Sequence, residues 1–155
     1  MGNGNVEGIF VATVTSGPIE RVEEVSAVAG AGLEGDRTWQ GELPVEQREA
    51  KREITLFAKE GVDRVTRDTD LELTYEDLRR NIMTTGIDLM SLIAKRFRVG
   101  DVELEGIKIA HPCLHLQELA GKPLMKPLME DAGIRARIVT SGSIRVGDPV
   151  VIDPD

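Results

Sequence analysis

One short stretch gathers most of the side chains able to do chemistry. In Ile109-Ala110-His111-Pro112-Cys113-Leu114-His115-Leu116 lie the only cysteine of the chain and both of its histidines. On an extended backbone His111, Cys113 and His115 share one face, because successive side chains point to opposite sides. A thiol flanked by two imidazoles is suited to hold a metal or a sulfur atom. An imidazolium at His115 would stabilise a Cys113 thiolate or persulfide, and the neutral ring could act as a general base. The three side chains also match the ligand types of zinc, but alternate positions on one strand converge poorly on a single ion. A structural reading stands beside these: a lone cysteine often packs as a small hydrophobe, and a histidine can satisfy a core hydrogen bond. Pro112 removes a backbone donor, so the stretch reads as an edge, a bulge or the exit from a strand.

The elements around this stretch are mostly short strands. Val6 to Thr15 is rich in β-branched residues and predicts a first strand; Val22, Val25, Ala27 and Val28 predict a second. Gly30-Ala31-Gly32-Leu33-Glu34-Gly35-Asp36-Arg37 is a glycine-rich turn without the Gly-Lys-Ser/Thr of a phosphate loop. Residues 38–51 have no clear period and read as a loop. Arg52 to Phe57 predicts a strand that passes into a helix over Ala58 to Arg67. Thr74 with Asp77 makes a capping signal for a short helix, Asn81 to Thr85 has β character, and Asp88 caps a helix over Leu89 to Arg96.

Val102 and Leu104 then alternate with acids. After Gly106 the phase flips to Ile107 and Ile109, which predicts a bulge. Two short helices are expected over 116–120 and 124–131. Strands follow over Ile134 to Val139, Ile144 to Val146 and Val150 to Ile152, with turns at Ser141-Gly142 and Gly147-Asp148-Pro149. Many short strands with frequent turns predict a single mainly-β domain over 1–155, a barrel or sandwich.

Composition narrows the function. The 155 residues carry a net charge of −8, with 41% hydrophobic, 30% charged and only 3% aromatic residues. That balance would repel a phosphate backbone and offers almost no stacking platform, so no nucleic-acid partner is expected. No apolar run approaches the roughly 20 residues that cross a bilayer, and the N-terminus lacks a signal-peptide pattern. A single cysteine fits a reducing compartment. The expectation is a soluble, cytoplasmic protein without membrane contact.

Six segments in order carry a resemblance. They are Gly32-Leu33-Glu34-Gly35-Asp36-Arg37, Arg52-Glu53-Ile54-Thr55-Leu56, Arg79-Arg80-Asn81-Ile82, Phe97-Arg98-Val99-Gly100, Pro112-Cys113 and Gly142-Ser143-Ile144-Arg145-Val146-Gly147-Asp148. Together, over about 8–152, the chain resembles the MOSC family, named for the C-terminal domain of molybdenum-cofactor sulfurases and found also in small standalone proteins. The resemblance implies a MOSC-like β-barrel with a few short peripheral helices. It places Cys113 at the family's cysteine, which is a molybdenum thiolate ligand in relatives that reduce N-hydroxylated compounds and a sulfur-carrying residue in sulfurases.

The same resemblance implies that Arg79 and Asn81 contact the molybdenum cofactor (molybdopterin): an arginine fork suits its phosphate and an asparagine its amide-like edge. If residues 79–81 are extended, Arg79 and Asn81 face one way and Arg80 the other. An ion pair of one arginine with Asp36 or Glu53 is the alternative. Arg37 can bind an anion or fix the turn with Asp36, and Gly142 resembles a family position near the site. Arg145 and Asp148 read as holding the last hairpin. Two functions follow, each resting on Cys113 and both leaving His111 without a role. One is a molybdenum-cofactor-dependent oxidoreductase supplied by a separate electron-transfer reductase. The other is a sulfur carrier loaded by a separate cysteine desulfurase, with pyridoxal phosphate bound only in that partner.

Overall fold

The computed structural model describes residues 3–111, 118, 121 and 133–153. Cys113 and His115 lie outside the described residues, as do the helix expected over 124–131 and all but residue 118 of the helix expected over 116–120.

Eleven strands and one α-helix make up the described fold: β1 (Gly4–Val11), β2 (Glu20–Val22), β3 (Glu24–Val28), β4 (Gly32–Leu33), β5 (Ile54–Ala58), α1 (Lys59–Asp68), β6 (Ile82–Thr85), β7 (Arg96–Val99), β8 (Val102–Ile109), β9 (Ile134–Thr140), β10 (Gly142–Arg145) and β11 (Pro149–Ile152). Seven strands in the order β1-β11-β7-β8-β9-β5-β6 close on β1 as a barrel, with β2 added outside β1. Strands β10, β3 and β4 form a separate small sheet. Among the described strands, only β5 and β6 pair in parallel. Parallel neighbours need a crossover connection, and α1 supplies it. The expected mainly-β barrel is what the chain forms.

Alternation builds two cores from the same strands. Ile9, Leu56 and Ile82 point into the barrel with Ile54, Leu104, Ile134 and Ala136. Their neighbours Phe10, Phe57 and Met83 point out and pack with Val62 and Val65 of α1 and with Leu78. Each large side chain so buried contributes ~1.5–3 kcal/mol, so α1 acts as a lid over the outer face of β5 and β6. Phe10 and Phe57 meet in a tilted ring contact at 5.9 Å.

Several local expectations differ in the structure. The single second strand is two, because Arg21 and Val22 pair with β1 while Val25 and Ala27 pair with β10. The first strand ends at Val11 because the next amide, Ala12 N, donates to the Asp36 carboxylate at 3.0 Å. The helix expected over Leu89 to Arg96 is only a 3-10 turn, Leu89–Leu92, capped as expected by Asp88. It stops because Ile93 bridges to Gly106 and Ala94 turns to a positive φ of 66°. Gly142 begins β10 instead of forming a turn. Residues 38–51 are irregular with short 3-10 turns at Val45–Gln47 and Ala50–Arg52.

The bulge expected at Gly106 is present. Gly106 pairs with Ala136 and Lys108 with Arg135, so Ile107 is the extra residue. A Cβ at Gly106 would collide with the Leu92 carbonyl oxygen, so the close approach of the 89–92 turn requires glycine here.

Candidate anion-binding site

The outer face of the barrel carries a row of polar side chains across four adjacent strands. Thr55 of β5 pairs with Arg135 of β9, and Arg135 with Lys108 of β8. Asn81, just before β6, completes the row, since the residues that follow Thr55 and Asn81, Leu56 and Ile82, are partners. Alternation requires this. Ile54, Leu56, Ile134 and Ala136 face the barrel core, which leaves Thr55 and Arg135 on the other side. The one-residue bulge brings Lys108 into line; without it Ile107 would stand opposite Arg135.

This row floors a pocket of about 490 Å³. Asp36, Arg37 and Thr38 line one side, Arg79 and Arg80 stand beside Asn81, and Glu49, Lys51 and Arg52 complete the lining. Seven of these side chains are Arg or Lys against two acids, in a chain whose net charge is −8. The concentration of positive charge is therefore local, and a cleft lined by one sign of charge focuses its field on anions.

The wall is held by Asp36 and Asn81, both buried. Asp36 Oδ1 accepts from Ala12 N and from Arg37 Nη1 at 3.1 Å, and its Oδ2 accepts from the Thr38 hydroxyl at 2.7 Å. Arg37 in turn donates through Nη2 to the Arg79 carbonyl at 3.0 Å. Asn81 Oδ1 accepts from Thr55 N and from the Thr55 hydroxyl, each at 3.0 Å, and its Nδ2 donates to the Phe10 carbonyl at 3.2 Å. The Asn81 side chain thus joins β5, β6 and β1 beneath the pocket.

The premise that residues 79–81 are extended is overturned. Arg79 is left-handed, at φ 52° and ψ 37°. The simple alternation of Arg79 and Asn81 against Arg80 is therefore lost, and all three line the pocket. Arg79 Nη2 donates to the Gly17 carbonyl at 2.7 Å. Burial, and then the neighbouring Arg37 charge, push the Arg79 guanidinium pKa below its ordinary value. Arg80 reaches the other way. Its Nη2 donates to the carbonyls of Ala110 at 3.3 Å and His111 at 3.0 Å. It thereby fixes the exit of β8, two residues before Cys113.

The remaining expected residues separate. The ion pair considered for Asp36 is made by Arg37. Glu53 instead accepts from the backbone amides of Gly30 and Ile138, and its burial raises its carboxyl pKa, an effect that these two amides and the Arg137 charge oppose. Gly142 pairs with Ala27 in the small sheet and does not line the pocket. Arg145 N donates to Asp148 Oδ2 at 2.8 Å and the Arg145 side chain to Glu24, so this pair does hold the last hairpin. His111 is exposed. Among the described residues no three His, Cys, Asp or Glu side chains cluster as metal ligands.

Sequence reasoning gave no site role to Lys51, Arg52, Thr55, Lys108 or Arg135. Lys108 and Arg135 each alternate with buried or apolar neighbours, which marks them as outward-facing. Nothing in that pattern states that β8 and β9 lie side by side.

The domain model for the MOSC domain matches residues 33–151. The chain belongs to the MOSC domain family. Its matched span includes every pocket residue and the cysteine segment. Among solved structures, the MOSC chain is similar to the YuaD protein from Bacillus subtilis at 19% identity and a TM-score of 0.77, covering 96% of this chain and 94% of that one. YiiM from Geobacillus stearothermophilus is similar at 15% identity and a TM-score of 0.73, covering 97% and 75% of the two chains. YiiM from Escherichia coli gives 15% identity, a TM-score of 0.67 and coverage of 98% and 69%. At these identities the likeness concerns the fold alone. No curated protein matches the sequence. Among the described residues no helix is long and apolar enough to cross a membrane.

Proposed function

We propose that this MOSC protein binds the molybdenum cofactor in the cationic pocket, with Cys113 as the protein thiolate on the metal. The observation that carries the reading is the pocket itself: seven cations on an acidic chain, floored by Thr55 and Asn81, beside the β8 exit that leads to Cys113. The donor set fits a phosphorylated pterin. Arg37 and Arg79 would take the phosphate, because guanidinium forks donate pairs of hydrogen bonds to phosphate oxygens. A phosphate between them would also offset the mutual repulsion that contributes to the lowered Arg79 pKa.

The bound metal would supply the two-electron chemistry that reduces N-hydroxylated compounds, with electrons from a separate reductase. The chain's own residues bind, orient and enclose. Arg80 anchors the strand exit through two successive carbonyls, and His115 would support the thiolate. Asn81 serves chiefly by holding the floor, since its amide oxygen is already engaged by Thr55.

Pterin content after oxidation, read by fluorescence on protein from a host that makes the cofactor, tests this. Bound pterin that is lost in Arg79→Ala is expected. Folded protein free of pterin, with a persulfide on Cys113, would instead make the chain a sulfur carrier served by a cysteine desulfurase.

A further inference from the structure

Residues 41–48 form a small loop that the fold braces yet leaves outside its core. Buried Gln40 closes the base much as a strand partner would. Its Nε2 donates to the Glu49 carbonyl at 3.0 Å, and its Oε1 accepts from Glu49 N at 2.7 Å. Arg48 turns inward and donates to three carbonyls, those of Leu43, Gly30 and Gly41. The Trp39 ring lies against Gly41, where a Cβ would collide with it. Loops closed at the base and packed by their own side chains are frequently functional.

What this bracing presents to solvent is apolar. Val45 is 74% exposed and Leu43 43%, with exposed Pro44 between them. The 3-10 turn Val45–Gln47 buries no residue, so the tip contributes to neither core. Glu42 and Glu46 flank the tip in sequence. Lys51 and Arg52 form its foot, held where Arg135 Nη1 donates to the Lys51 carbonyl at 3.2 Å. All four charged side chains are exposed, and none makes a hydrogen bond or ion pair among the described residues.

One short segment therefore carries an acidic, apolar tip and a basic foot, and neither charge is answered within the chain. A basic partner would suit the tip and be repelled by the foot, and an acidic partner the reverse. A second copy of the segment answers both, since a patch bearing both signs can be self-complementary about a two-fold axis.

We propose that residues 42–52 are a homodimer contact in which the tip of each copy lies on the foot of the other. Glu42 and Glu46 meet the Lys51 and Arg52 charges, and Leu43 and Val45 rest on the aliphatic stems of those two residues. The contact is smaller than the roughly 20–30 residues a side of a standard interface, so the dimer is weak. Lys51 and Arg52 also line the cationic pocket, so the second copy borders its mouth. None of this depends on which ligand the pocket takes.

Sedimentation velocity over a concentration series tests the contact. The parent should dimerise with a micromolar dissociation constant, weakened at least tenfold in Leu43→Ser/Val45→Ser. Glu42→Lys/Glu46→Lys should weaken it as much, although a less acidic chain would by itself self-associate more readily. Lys51→Glu/Arg52→Glu should weaken it too. The decisive sample is an equimolar mixture of the two charge-reversed proteins. Each restores the pairs that the other has lost, so a heterodimer about as tight as the parent dimer is expected.

A parent that stays monomeric at millimolar concentration would overturn the proposal. So would a dimer that these variants leave intact, or a mixture that associates no better than Glu42→Lys/Glu46→Lys alone. Trp39 is the only tryptophan of the chain and reports on the loop by its fluorescence. A monomeric parent whose fluorescence responds to poly-lysine, with the response lost in Glu42→Lys/Glu46→Lys, would give the tip to a basic partner protein instead.

Discussion

Asn81 and Thr55 close a small ring of hydrogen bonds beneath the pocket. Asn81 Oδ1 accepts from the Thr55 amide and hydroxyl, while Asn81 N donates to the Thr55 hydroxyl oxygen at 2.9 Å. Both residues are buried. The ring fixes the parallel start of β5 and β6, and with it the direction in which Arg79 and Arg80 leave the barrel.

Asn81→Ala should therefore act first on stability. It strands the buried Thr55 amide and the Phe10 carbonyl, at about 1–3 kcal/mol for each buried group left without a partner. Thermal and urea unfolding would register this with or without ligand. An Asn81→Ala protein of unchanged stability but impaired ligand binding would make Asn81 a ligand contact instead.

Arg79 couples an unfavourable backbone conformation to a charged side chain. Arg79→Gly relieves a left-handed backbone that costs ~1–2 kcal/mol and loses a hydrogen bond to Gly17 worth ~1 kcal/mol. Stability should stay within about 1 kcal/mol of the parent while phosphate affinity falls at least tenfold. Calorimetric titration with phosphate, beside an unfolding curve, separates the two effects; unchanged affinity would remove Arg79 from the site.

Gly106→Ala should destabilise the fold by about 1–3 kcal/mol, the usual range for overpacking. The new Cβ would meet the Leu92 carbonyl oxygen. A melting temperature equal to the parent's would contradict the close approach.

Glu53 gives a pH dependence of definite sign. Its carboxyl pKa is raised above the ordinary 4.5, first by burial. The folded state therefore binds the proton more tightly than the unfolded state does. The stability that the protonated acid contributes is complete below about 4.5 and is lost as pH rises through the folded pKa. Glu53→Gln keeps an acceptor for Gly30 N and Ile138 N and removes the charge. It should melt above the parent at pH 7, with the difference shrinking below pH 4.5. A difference independent of pH would mean that Glu53 titrates normally.

The strands were legible wherever one face is buried, because alternation with a period of two then becomes visible. Val102 to Ile109 showed even its bulge, since Gly106 sits where the apolar phase flips. The split of β2 from β3 was not legible, because two strands joined by one residue read as one run until their partners are known. The reversal of Arg79 was hidden for a different reason. A left-handed arginine breaks the local preference that any reading of Arg79-Arg80-Asn81 must assume, and the Arg37 bond to its carbonyl comes from 42 residues away in sequence. The pocket's outer rim was beyond reach for the same cause: Lys51, Lys108 and Arg135 meet only through the order of the sheet.

The most direct test of cofactor binding is the molybdenum content of protein purified from a cofactor-producing host, compared with that of Cys113→Ser. The expected result is near one molybdenum per chain in the parent and a loss of at least tenfold in the variant, with both proteins equally folded. Absence of molybdenum from well-folded parent protein, or equal molybdenum in the two, would contradict the assignment of Cys113 as the metal's thiolate.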